Sequence, residues 1–428
     1  MSLLVATVFL VAACGGGGGG SGMPNSAGAA GSSSTATVSS SSGSSSSTSS
    51  ARRRPAAAGR LNIAMDGNAE IVDEDTYVTG SYTLPAVDGQ AALGGRLSIK
   101  GHGNTTWGFP KKPYRVKLDD KAPLLGMPKD KNWILLADYS DKTLLRTRLA
   151  FEVSRRFGLA WTPRAFRSRS PSTADMTASM TWWSKSREDK NRVNVTETDG
   201  HGAGRCRRGG YLLEINERMD DPVCWRTARS VALCIKEPDP GRSDQQAYIR
   251  DYVQAAEDSL YATDTTAYQA YFDVDSLIDW YLVEELLKNP DSNFFASVYL
   301  YKDKDGKLTF GPVWDFDISA GNGRAETDGF LPATALWIAR MKASDPTFET
   351  RVRARWDALK ADQIDTLPAF IDAQAAALQG AQGRNFTRWP IIGVYVWPNS
   401  EIAGSYDGEV DYLKTWLAAR TAWLDANL

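Results

Sequence analysis

The stretch that most constrains this chain runs from Lys288 to Asp317. Phe294 to Tyr301 is an apolar and aromatic run, and Leu308-Thr309-Phe310 is a second. Between them lies the charged segment Lys302 to Lys307, which contains Asp305-Gly306. Asp-Gly between two such runs signals a hairpin. A hairpin brings its outer ends together, so Asp291 and Asn293 at one end should meet Asp315 and Asp317 at the other. Four oxygen-bearing side chains at the open end of two strands suit a hard cation such as Mg²⁺ or Mn²⁺. A metal with a spare carboxylate beside it suits phosphoryl transfer. The same residues also read as turn caps and surface carboxylates, the ordinary role of a lone Asp.

The chain has 428 residues and a formal net charge of -2. That length allows a large core, and the near-neutral balance gives no argument for nucleic-acid binding. Leu3 to Ala13 is an apolar run too short to span a bilayer comfortably. It ends in Val11-Ala12-Ala13-Cys14, which resembles a lipobox. Residues 1–13 therefore read as a lipoprotein signal, with cleavage before Cys14 and lipidation of that Cys. The expected location is extracytoplasmic, anchored to a membrane of the cell envelope. No Lys or Arg precedes the apolar run, and an ordinary secretory signal with an incidental Cys is the alternative. Residues 14–60 are nearly all Gly, Ser, Ala and Thr and predict a flexible tether. The folded part is expected over 61–428, with a β-rich lobe over about 61–240 and a helical lobe over about 241–428. Of the other cysteines, Cys224 and Cys234 lie in segments that look like facing strands, which predicts a disulfide and leaves Cys206 free. No feature sets an oligomeric state.

Strand-like alternation marks Leu61 to Met65, Thr76 to Leu84 and Gly95 to Lys100. Gly101 to Pro110 then forms a Gly-rich loop whose backbone amides can wrap phosphates. The next strand carries Arg115 and Lys117 on one face and Tyr114, Val116 and Leu118 on the other. Two cations directly after such a loop suggest a nucleotide site, and a half-exposed charged strand is the simpler alternative. A helix over 143–157 is capped by Asp141 and stopped by Gly158. Glu152 on its apolar side is a candidate partner for Lys117. Glu214 and Lys236 lie on later strands as further candidates for ligand contact. Helices are expected at about 243–261, 274–288, 346–360, 365–380 and 406–426. Residues 167–186 have neither helical nor strand period. A permissible codon choice, read two bases on, encodes a strand, an Asn-Gly turn and a strand there. That predicts a compensating pair of frameshifts, to be tested by resequencing the locus.

Taken together, Gly101 to Asp119, Trp133 to Pro163, Asp189 to Val195, Gly210 to Ile215 and Glu284 to Asn322 resemble the CotH kinase family. These are atypical kinases named after a spore coat protein. The resemblance implies an α+β, divergent two-lobed kinase fold, with ATP and Mg²⁺ as cofactors and transfer to Ser of a protein substrate. It gives Asp291 the part of the catalytic Asp that acts on the acceptor hydroxyl, and Asp315 that of the metal-binding Asp. Asn293 and Asp317 as further metal ligands, and Lys117 at the α- and β-phosphates, extend it by analogy with kinase layout. ATP is scarce outside the cytoplasm, so a non-catalytic envelope-binding protein with this fold is the second reading. A carboxylate-pair glycosidase is a third, if the spacing of Asp291 and Asp315 fits.

Overall fold

The computed structural model describes residues 61–86, 91–124, 127–167, 181–187, 189–196, 209–239 and 241–428. The signal, Cys14, the tether, Cys206 and most of the patternless stretch lie outside them. The fold is α+β, with a β-rich N-terminal part and a mostly helical C-terminal part. Among the described residues the strands form two antiparallel sheets, and no helix is long and apolar enough to cross a membrane.

The first sheet contains β1 (Asn62–Met65), β2 (Val78–Leu84), β3 (Leu93–Gly101), β4 (Tyr114–Ala122) and β5 (Asp130–Leu136). Two short strands, β6 (Ala165–Arg167) and β7 (Thr181–Ser184), complete it. Their order is β1-β2-β3-β4-β5-β7-β6. Alternation decides its faces. Leu97, Ile99, Val116, Leu118, Trp133 and Leu135 turn into one buried cluster. Strand β6 ends where the patternless stretch begins and β7 lies within it, so Thr181–Ser184 form a strand despite the lack of period, and the two pair with one another.

The second sheet draws on both halves of the chain. It contains β8 (Tyr211–Ile215), β9 (Cys224–Arg226), β10 (Ala232–Glu237), β11 (Val298–Lys302) and β12 (Leu308–Phe310), in the order β12-β11-β8-β10-β9. The predicted hairpin is β11–β12, and it docks through Tyr299 opposite Glu214 and Leu300 opposite Leu213. Cys224 and Cys234 face each other across β9 and β10, and a disulfide joins them.

Seven helices lie among the described residues: α1 (Arg146–Phe157), α2 (Ser243–Ser259), α3 (Val274–Leu287), α4 (Leu336–Ser344), α5 (Phe348–Leu359), α6 (Leu367–Arg388) and α7 (Tyr406–Asn427). Helix α1 starts later than the expected 143, because Leu144 is left-handed at φ 57°. Asp141 still caps it, accepting from the amides of Leu145 and Arg146 at 3.0 and 2.8 Å. Gly158 ends it at φ 90°. The core does not divide near residue 240. Strands β8 and β10 share one buried cluster with α1 and all the later helices.

From Trp280 to Leu287 helix α3 is buried on every side, and it runs through the middle of that cluster. A fully buried ion pair helps to fix it. Arg420 of α7 reaches Glu285 Oε2 at 2.9 Å, and both side chains are 0% exposed. Arg420 also donates to the carbonyls of Glu285, Thr327 and Gly329, while Glu285 accepts from the amides of Leu331 and Ala333. The charges are therefore paired and hydrogen-bonded throughout, the condition under which burial is tolerated.

Candidate active site

Helix α3 ends at Lys288, left-handed at φ 48°. Asn289 then accepts from the Asp291 amide at 3.3 Å and closes a short turn over Pro290–Ser292. Phe294 and Ser297 are both left-handed, at φ 59°. The chain therefore kinks twice, and the strand expected from Phe294 begins only at Val298. Asp315 is left-handed as well, at φ 67°. A non-glycine residue in that region is uncommon, and such residues cluster at functional sites.

These bends bring Asp291, Asp315 and Asp317 to one cavity of about 480 Å³. Its walls also include Gly101 to Thr106, Arg115, Asp138, Glu214, Arg218 and Lys236. Gly103 is at φ +84°, and a Cβ there would stand 2.1 Å from Thr106 Oγ1, so the loop needs glycine. Lys236 sits where the β8–β10 register slips, and the bulge turns it toward Glu214 at 2.8 Å and Asp221 at 2.6 Å. Ser297 donates its amide to Glu214 and its hydroxyl to Asp315. Ser140 donates to Asp317 Oδ2 at 3.5 Å, and the Asn322 amide group donates to the Asp317 carbonyl at 2.6 Å.

The electrostatics are those of crowded, desolvated carboxylates. Burial, and then the charge of Asp315, pushes Asp291 up to about 7. Burial raises Asp315, with Arg218 and Ser297 opposing. Asp317 stands well above its ordinary range through burial and then Asp315, Asp138, Asp141 and Asp291. Asp315 and Asp317 share a hydrogen bond. Burial, and then the cations Arg115 and Lys185, pushes His102 down to about 4. Among the described residues no three of His, Cys, Asp and Glu stand close enough to chelate a metal together. A pair still fits Mg²⁺, which usually keeps waters and takes one or two carboxylates plus substrate phosphates. A cation there would also stabilise the charged form that burial disfavours in both groups.

Six of the residues singled out in the sequence line this cavity: Asp291, Asp315, Asp317, Arg115, Glu214 and Lys236. Three do not. Asn293 is exposed, because the kink at Phe294 turns it away, and its side-chain oxygen accepts from Thr334 at 3.0 Å. Lys117 shares the face of Arg115 but lies about 7 Å further along the strand, on an exposed part of it. Glu152 is no partner for Lys117: Arg155 holds it at 3.0 and 2.6 Å and Arg156 at 2.8 Å. Arg218 was not visible as a site residue. Its only signal is a charged run, Glu217-Arg218, directly after the strand that carries Glu214.

Glu284 lies one turn behind Asn289, only 2% exposed, with Oε2 lacking a partner among the described residues. Burial, and then Asp291 and Glu285, holds its carboxyl well above the ordinary value of 4.5 against a hydrogen bond from Asn289. A raised carboxyl binds its proton more tightly folded than unfolded. Its stabilising effect is thus complete below 4.5 and lost as pH rises toward the folded value. Each pH unit in that window costs about 1.4 kcal/mol. Glu284→Gln, neutral at every pH, is expected to match the parent in urea unfolding at pH 4.5 and to exceed it at pH 8. Equal midpoints at pH 8 would refute a buried neutral acid here.

The family model described as CotH kinase protein matches residues 99–167 and 185–424. The interruption falls inside the patternless stretch. No curated protein matches the chain. Every cavity residue named above, from Gly101 to Asp317, lies within the two matched segments, and the chain belongs to the CotH kinase family.

Proposed function

We propose that this is a Mg²⁺-dependent protein kinase that moves the γ-phosphoryl group of ATP to a Ser or Thr hydroxyl of an envelope or surface protein. Lipidated Cys14 would keep it at the membrane. The observation that carries this reading is a single cavity with three carboxylates, Asp291, Asp315 and Asp317, and the cations Arg115, Arg218 and Lys236 around them. One charge sign suits a metal and the other suits phosphates.

Asp291 Oδ accepts the proton of the acceptor hydroxyl. Burial, the first cause of its raised carboxyl, makes it more basic than an ordinary Asp and so better suited to that task. Asp315 and Asp317 would hold Mg²⁺, which when bound neutralises the charge building on the phosphates. Lys236 is oriented by Glu214, in the manner of the Lys–Glu pair that protein kinases require. Arg115 Nε is buried without a hydrogen-bond partner among the described residues, so its guanidinium is available to an incoming phosphate. The glycines at 101 and 103 let the loop backbone approach the phosphates closely.

Calorimetry with ATP and Mg²⁺ tests this arrangement. Arg115→Gln is expected to weaken binding about tenfold, the usual worth of a charge-assisted hydrogen bond. Lys117→Gln is expected to leave it unchanged. No binding by the parent protein would favour a non-catalytic envelope protein instead. Equal losses in the two variants would return Lys117 to the phosphate site.

A further inference from the structure

A second cavity, of about 450 Å³, lies on another face of α1. Arg148, Phe151, Glu152 and Arg155 recur there at helical spacing, so one stripe of the helix lines it. Leu159 to Arg164 and Phe370 of α6 complete the wall. It is separate from the Asp291 cavity but shares a partition with it. Phe151 lines the second cavity, Trp314 lines the first, and their rings stack at 5.8 Å and 28°.

The charges around it are unbalanced. Three arginines, Arg148, Arg155 and Arg164, line it against the lone carboxylate Glu152. Glu152 is already engaged, with Arg155 on both oxygens and Arg156 on one. It is also the charge that offsets Arg148, whose guanidinium burial pulls below its ordinary value. A partly desolvated guanidinium with a shared counter-ion gains most from an added oxyanion, which can accept two parallel N–H bonds. Apart from Thr162, whose hydroxyl is paired with that of Ser154, the rest of the wall is apolar. Trp161 has already donated its indole N–H to the Asn191 carbonyl at 3.1 Å, so it offers a ring face and edge but no free donor. Pro163, Leu159 and Phe370 extend that surface.

We propose that this cavity is a second ligand site, taking a small molecule that joins a phosphate or carboxylate group to a flat or apolar body. The guanidinium groups hold the oxyanion, and Trp161 and Phe370 hold the body by stacking. The site stands whatever chemistry Asp291 performs. Through the Phe151–Trp314 stack its occupant would press directly on the segment that carries Asp315.

The test uses the full chain labelled with 5-fluorotryptophan and followed by ¹⁹F NMR. Trp161→Phe and Trp314→Phe assign the two resonances. Phenyl phosphate and benzoate are the probes, separating a phosphate source from a carboxylate one. At least one probe is expected to shift the Trp161 resonance saturably and the Trp314 resonance with it. Arg148→Gln and Arg164→Gln should each weaken that response at least fivefold, whereas Arg115→Gln in the first cavity should not. Arg164 is exposed, so its variant keeps the test open if Arg148→Gln fails to fold. A Trp161 resonance unmoved by either probe, or moved in Arg148→Gln and Arg164→Gln as readily as in the parent, overturns the proposal.

Discussion

Asp315→Asn is expected to cut Mg²⁺-dependent ³²P transfer from ATP by on the order of 10³-fold, the scale of losing one aimed electrostatic group, while the protein stays folded. The two halves of this expectation come from the same observation. Asp315 is half-buried beside Asp317 and near Asp291, and its charge raises both of them. An Asn of the same shape removes that repulsion and can still accept from Ser297. The metal-free variant should therefore unfold at the same temperature as the parent or higher. Inactivity combined with unchanged or raised Tm separates a lost metal ligand from a damaged fold. Activity retained in the variant would remove Asp315 from the reaction.

Arg420→Met should have the largest effect on stability, a loss of about 3–5 kcal/mol, because it leaves Glu285 charged and buried without its cation. Four hydrogen bonds from the guanidinium go with it, three of them to carbonyls of α3 and the 327–329 segment. The second variant, Arg420→Met with Glu285→Gln, should recover part of the loss, since the remaining amide can still accept from Leu331 and Ala333. Urea unfolding of the parent, the single variants Arg420→Met and Glu285→Gln, and the double variant measures this coupling. Additive losses would mean that the pair contributes little beyond its separate contacts. The pair holds the helix that leads into Asn289 and Asp291, so the single variant should also lower transfer in the fraction that remains folded.

Much of this arrangement was legible in the sequence, for physical reasons. The hairpin showed through two short apolar runs and an Asp-Gly turn. Helix α1 showed through its Asp141 cap and Gly158 stop. The disulfide showed through cysteines in two segments that read as facing strands. The failures share a cause, which is side-chain direction. Asn293 is two residues from Asp291, yet the left-handed Phe294 beside it lets the chain turn its amide outward. Arg115 and Lys117 obey the same period of two, and only the position of the cavity along β4 separates them. Glu152 lies on an α1 face whose own arginines bind it, and helical spacing alone did not show which neighbour would win. Arg218 enters the cavity from a loop, where no periodicity exists to read.

The order of the second sheet has a consequence for how the polypeptide becomes a folded molecule. Strand β8 lies between β11 and β10, so its two neighbours come from opposite sides of residue 240. A polypeptide emerging from the ribosome has β8 long before β11, and until then one edge of β8 presents unpaired amides and carbonyls, a template for pairing with other chains. Cutting the gene near residue 240 would not yield two domains. The first fragment would carry Glu214 and Lys236 on a sheet with an open edge, and the second would carry Asp291 and Asp315 beside a hairpin whose β11 edge has lost its β8 partner. Neither fragment should be soluble alone. Expressed together, the two have one productive way to satisfy both edges, and doing so would rebuild the cavity between them.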